Sequence, residues 1–100
     1  MVSLSGTLDA WSEPEVREAL KEVLGRGRAR LVLDLQALRR IDSSGLSALL
    51  SVLKAARAAG GDVVLLSPSA TVASILRLTR LDQILEAYDD EGTALARLWA

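Results

Sequence analysis

Two hydroxyls, a carboxylate and a glycine stand together at Asp42-Ser43-Ser44-Gly45, directly ahead of Leu46, Leu49, Leu50 and Leu53. Apolar residues at i, i+3, i+4 and i+7 describe one face of a helix, so the four residues sit at its start. Asp and Ser there accept hydrogen bonds from the free N–H groups of the first turn, and capping is their ordinary role. The same N–H groups and the helix dipole favour negative charge by about 0.3–1 kcal/mol at an exposed site. A phosphoryl group on either serine would be tolerated by the helix while changing the local charge by about −1.5 to −2. One serine can both cap and be modified.

Other chemistries find little support. The acids Asp9, Glu13, Asp34 and Asp42 would have to face each other across a cleft to work as an acid–base pair, and nothing in their spacing places two of them so. Asp9 and Asp42 lie near helix starts, where an acid is ordinary. The chain has no His and no Cys, which removes the commonest general base, the commonest metal ligand and every thiolate site. Gly25, Gly27, Gly60 and Gly61 form no nucleotide-binding loop and read as helix stops. We therefore expect no catalytic residue, no bound metal and no cofactor. Arg26, Arg28, Arg30, Arg39 and Arg40 flank one strand, but no aromatics are interleaved, and 12 basic against 13 acidic residues leave a net charge of −1. A solvated edge explains them better than a grip on nucleic acid.

The elements that must position these residues follow an α/β alternation. A chain of 100 residues is one domain, and with 50% apolar but only 3% aromatic residues its core is built from Leu, Val, Ile and Ala. Val2-Ser-Leu-Ser reads as a short strand ended at Gly6, and Asp9 to Ser12 as a turn. Ser12 is placed to cap a helix that carries Val16, Leu20, Val23 and Leu24 on one stripe. Leu31-Val-Leu-Asp-Leu35 has the apolar density of a central strand, and Gln36 to Ile41 reads as a connection. After the helix headed by Asp42-Ser43, Asp62 to Leu66 is a third strand. Ser67 or Ser69 caps a helix carrying Val72, Ile75, Leu76 and Leu78; Ile84 to Tyr88 reads as an edge strand and Asp90 to Trp99 as a last helix. Met1 to Gly6 lacks the basic and apolar regions of a signal peptide. No stretch approaches the roughly 20 apolar residues that span a bilayer, so the expected setting is cytoplasmic, with no membrane insertion.

These motifs together resemble the STAS domain, a module of anti-sigma factor antagonists and of sulfate-transporter tails. Ser5-Gly-Thr-Leu-Asp9 resembles the family's Gly-x-Leu-Asp turn, Leu31 to Leu35 its central strand, and Ile41-Asp-Ser-Ser-Gly-Leu46 its switch motif. Gly60-Gly-x-Val63 to Ser67-Pro68, Ile75-Leu-x-Leu-Thr79 and Leu81-Asp82 follow in the family's order. The resemblance covers nearly all of residues 1–100. It departs in two places: the strand that usually comes first in the family is missing, and Arg80 stands where Gly commonly follows Thr79.

The resemblance implies a mixed sheet of about four strands with helices mainly on one face, and a non-enzymatic partner-switching protein. The unmodified form would bind an anti-sigma factor serine kinase of the GHKL type and free a sigma factor. Phosphorylation by that kinase would release it, and a serine phosphatase would reset it. Carried over by motif, the phosphoacceptor is Ser43, with Ser44 as the alternative, and Asp9, Asp42, Ser43, Ser44 and Gly45 form the partner-binding surface. A second implied role is a STAS subunit that binds an ABC transporter ATPase in lipid trafficking without being phosphorylated. A third is a ligand-binding module of a sensory assembly.

Overall fold

The computed structural model describes residues 1–27 and 29–99. The elements are β1 (Val2–Leu8), α1 (Glu13–Gly25), β2 (Arg30–Ile41), α2 (Ser43–Ala58), β3 (Asp62–Leu66), α3 (Ala70–Leu78), β4 (Ala87–Tyr88) and α4 (Glu91–Leu98). The strands lie in the order β1-β2-β3-β4 in one sheet. Every pairing is parallel, where the resemblance implied a mixed sheet. The reason is topological. Each strand reaches its neighbour through a helix, and a helical crossover returns the chain in the same direction.

Alternation along the central strands sorts two cores. Leu31, Leu33 and Leu35 of β2 and Val63 and Leu65 of β3 face α1, α2 and α3 in the main cluster, with Leu20, Leu49, Leu53, Val72 and Leu76 supplied by the helices. Val32, Val64 and Leu66 face the other way, onto Ala94 and Leu98 of α4. Three helices thus cover one face and one helix the other, which explains why β2 and β3 are apolar on both sides.

Strand β2 runs six residues further than expected, through Gln36–Ile41, which is strand rather than connection. Leu38 and Ile41 are buried, and Ile41 pairs with Leu8. The register of β1 against β2 shifts between Ser3 and Ser5 and again between Gly6 and Thr7, with Gly6 at φ 77°. Such irregularities break the period of two and leave Leu38 and Ile41 three apart. At the other edge, β4 is only two residues long. Leu81–Gln83 forms a 3-10 turn ahead of it, and Leu85 is buried in the main core instead of pairing. Ser69, not Ser67, caps α3, its hydroxyl accepting from the Val72 N–H at 3.3 Å. Leu78 projects from the end of that helix, 81% exposed, and is not part of the buried stripe.

Arg80 has φ 60° and ψ 18°, the left-handed conformation that ends α3. A side chain there costs about 1–2 kcal/mol in local strain, which glycine avoids at some expense in unfolded-state entropy. Arg80→Gly is expected to stabilise the fold by about 0.5–1 kcal/mol, raising Tm by roughly 2–8 °C in a domain of this size. An unchanged or lowered Tm in a thermal melt would show that the Arg80 side chain makes compensating contacts.

Candidate functional site

Parallel strands with helices following them bring their carboxyl ends to one edge of the molecule, where the helix N-termini also gather. Leu8 and Ile41 end β1 and β2 side by side, so Asp9 and Asp42 leave the sheet at neighbouring points. The Asp42 N–H donates to the Leu8 carbonyl at 3.1 Å, tying the two ends together.

Asp42 then turns into α2 with extended backbone, φ −109° and ψ −171°. Its Oδ1 accepts from the Gly45 N–H at 3.0 Å, so the side chain caps the helix it precedes. Gly45 is buried because α2 starts hard against β1. A Cβ at that position would lie 2.5 Å from the Leu8 carbonyl oxygen and 2.6 Å from Ile41 Cγ1. No side chain fits there without moving backbone, so the glycine sets how closely the helix start approaches the strand end. Ser43 and Ser44 occupy the first turn of α2; Ser43 is exposed and Ser44 half-buried.

The β1–α1 turn beside them is held by its own hydrogen bonds. Asp9 Oδ1 accepts from the Trp11 and Ser12 N–H groups, each at 3.0 Å. The Ser12 hydroxyl donates to the Thr7 carbonyl at 2.8 Å and accepts from the Asp9 N–H. Ser12 therefore fastens the turn and makes no side-chain bond to α1, where the sequence suggested a cap. The Ser12 N–H, aided by its hydroxyl and by the Trp11 N–H, holds the Asp9 carboxyl below its ordinary value. Asp9 is thus ionised at neutral pH. Both carboxylates at this edge accept backbone N–H groups, and the lowered value at Asp9 is the opposite of what a general acid requires.

A shallow pocket of about 250 Å³ lies between the starts of α1 and α2, lined by Glu13, Arg17, Ser43, Ser44 and Ser47. Arg17 forms an ion pair with Glu13 one turn earlier. The pair is made by Arg17 Nη2 and Glu13 Oε1, and among the described residues the buried Arg17 Nε meets no acceptor.

The STAS domain family model matches residues 1–94. The chain belongs to the STAS domain family. An anti-sigma F factor antagonist of Paenibacillus polymyxa is 33% identical over 99 residues, covering 98% of this chain and 85% of that one. A candidate anti-sigma factor antagonist of Thermotoga maritima is 35% identical over 74 residues, 74% of this chain; the match spans 66% of that protein's length. The crystal structure of a candidate anti-sigma factor antagonist from Thermotoga maritima superposes with a TM-score of 0.87 at 28% identity, covering 98% of this chain and 86% of that one.

Within this STAS domain, Asp9, Asp42, Ser43, Ser44 and Gly45 come together at one edge. Asp34 does not join them. It lies within β2, its Oδ1 accepting from the Gln36 N–H at 3.0 Å. The described arginines divide between the two ends of β2, a strand of 12 residues. Arg39 and Arg40 are exposed near the end of β2 that leads into Asp42. Arg26 pairs with Glu22, and Arg30 stacks over Trp99 at 4.4 Å. Arg28 lies outside the described residues. Among the described residues no helix is long and apolar enough to cross a membrane, and no group of three or more metal-ligating side chains is found.

Two further residues belong to this edge through the fold. Trp11, 94% exposed, projects from the turn that Asp9 holds; a tryptophan within a polar turn was the available signal. Arg17 follows Glu13 by four residues, the spacing of a helical ion pair, but only the packing of α1 against α2 places it beside the serines.

Proposed function

We propose that this STAS domain is an anti-sigma factor antagonist controlled by phosphorylation at Ser43. The observation that carries the reading is the exposed Ser43 hydroxyl in the first turn of a capped helix, at an edge whose other groups are already fixed. Unmodified, the edge offers a neutral hydroxyl, the bound carboxylates of Asp9 and Asp42, and Trp11 as an apolar anchor of the kind that dominates protein interfaces. Its partner is an anti-sigma factor that is also a serine kinase. The names of the Paenibacillus and Thermotoga relatives support the class of partner.

In the transfer step the Ser43 oxygen attacks the γ-phosphorus of the partner's ATP. An O–P bond forms, the bond to the β-phosphate oxygen breaks, ADP leaves and the hydroxyl proton passes to the kinase or solvent. The STAS domain supplies the nucleophile and no catalytic group, so it acts as a non-enzymatic regulator. The charge added at Ser43 is met by the free N–H groups and dipole of α2, so the fold survives. The docked surface does not, because it would have to bury a dianion beside Asp42. A serine phosphatase restores the binding form.

Labelling with radioactive ATP and the cognate anti-sigma factor tests the assignment. Wild type and Ser44→Ala are expected to take up label and Ser43→Ala to remain unlabelled. Label on Ser43→Ala but not on Ser44→Ala would move the acceptor to Ser44. No label on wild type, with capture of an ABC transporter ATPase in its place, would replace this reading with the transporter-subunit one.

A further inference from the structure

We propose that Arg17 is the phosphate-binding residue of the modified state, exchanging the Glu13 carboxylate for a phosphate on Ser43. The inference rests on the reading of Ser43 as phosphoacceptor and adds to it a receiving group on a different helix. The pocket between α1 and α2 is lined by three serines, one carboxylate and one guanidinium, so Arg17 is the single cation among its lining residues. Its volume of about 250 Å³ accommodates a phosphoryl group, whose three terminal oxygens occupy on the order of three water volumes, roughly 90 Å³.

The Arg17 guanidinium keeps hydrogen-bonding capacity in reserve. Its Nη2 is paired with Glu13 Oε1, but its Nε–H is buried with no acceptor among the described residues. A guanidinium presents its N–H groups as a planar fork suited to two oxygens of one phosphate. Glu13 offers a single negative charge, whereas phosphoserine carries about −1.5 to −2 and three acceptor oxygens. In competition for one arginine the phosphate wins.

The exchange enlarges the effect of modification. In the unmodified protein Glu13 and Arg17 neutralise each other at the edge. After exchange Arg17 is engaged by the phosphate, and Glu13 stands unpaired beside it on the same surface as Asp42. Phosphorylation thus adds the phosphate charge and also frees a carboxylate, which makes the edge acidic to a partner that had docked on a neutral pair.

The test places phosphoserine at position 43 during translation, so that no kinase is needed, and follows its second ionisation by phosphorus NMR as pH is varied. An adjacent cation favours the dianion and lowers the midpoint; a carboxylate raises it. Arg17→Gln is expected to raise the midpoint by about half a unit to one unit relative to the otherwise unchanged phosphoprotein. Glu13→Gln should lower it, and this second variant keeps Arg17 in place should Arg17→Gln fold poorly. Arg26→Gln, the same change of charge at the far end of α1, should leave it where it was. A midpoint unmoved by both Arg17→Gln and Glu13→Gln, or moved equally by Arg26→Gln, would overturn the assignment of Arg17. Because the phosphate is installed directly, that failure is distinct from failure of the kinase to label Ser43, which would count against the acceptor itself.

Discussion

Leu49→Ala is expected to lower the stability of the domain by about 2–5 kcal/mol, the range for removing a fully buried leucine. Leu49 has no exposed surface and lies in the cluster where α2 meets β2 and β3. Leu53, one turn on and 2% exposed, should behave alike. Against a total of about 5–15 kcal/mol, such a loss is a large share. It would also reach the proposed phosphoacceptor, because the same helix presents Ser43 at its first turn. Gly45→Ala probes the other anchor of α2. Its Cβ would collide with the Leu8 carbonyl and Ile41, so the helix start must shift, at a cost of about 1–3 kcal/mol or more. Chemical denaturation gives both values. Loss of under 1 kcal/mol in Leu49→Ala would mean that α2 packs through another face.

Ser43→Asp is expected to separate fold from binding. The substitution places a carboxylate in the first turn of α2, where the dipole and free N–H groups favour it, so circular dichroism and Tm should stay close to wild type. Docking is another matter. A partner surface shaped for a hydroxyl must bury an uncompensated charge, at a cost of about 3–5 kcal/mol, or two to four orders of magnitude in affinity. Ser43→Ala, which adds no charge, should bind as wild type does. A Ser43→Asp protein that binds its partner normally would place Ser43 outside the interface.

Much of this arrangement is legible in the sequence because the deciding signals are local. Asp42 before the Leu46, Leu49, Leu53 stripe marks a capped helix start, and the cap bond to Gly45 is a matter of three residues. The density of Leu31 to Leu35 marks a strand covered on both faces. What is illegible depends on contacts distant in sequence. The extension of β2 to Ile41 follows from pairing with an irregular β1, whose register shifts no alternation of residues reveals. The two-residue β4 is short because Leu85 turns into the core. Ser12 fastens the Asp9 turn instead of capping α1 because the Thr7 carbonyl lies within its reach. The requirement for glycine at position 45 comes from Leu8, on another strand, and Arg17 joins the site only through the packing of two helices. The left-handed backbone at Arg80 is an intermediate case: the family pattern points to the position, and the observed φ shows why glycine suits it.

Phosphate on Ser43 is expected to turn off binding while leaving the fold intact. Isothermal titration of the cognate anti-sigma factor into the unmodified protein and into protein carrying phosphoserine at position 43 tests it most directly, with a thermal melt of each form alongside. The unmodified protein should bind tightly, the phosphorylated form at least a hundredfold more weakly (about 3 kcal/mol or more), and the two melting temperatures should agree within a few degrees. Equal affinities for the two forms, or a phosphorylated form that has lost its cooperative melt, would contradict it.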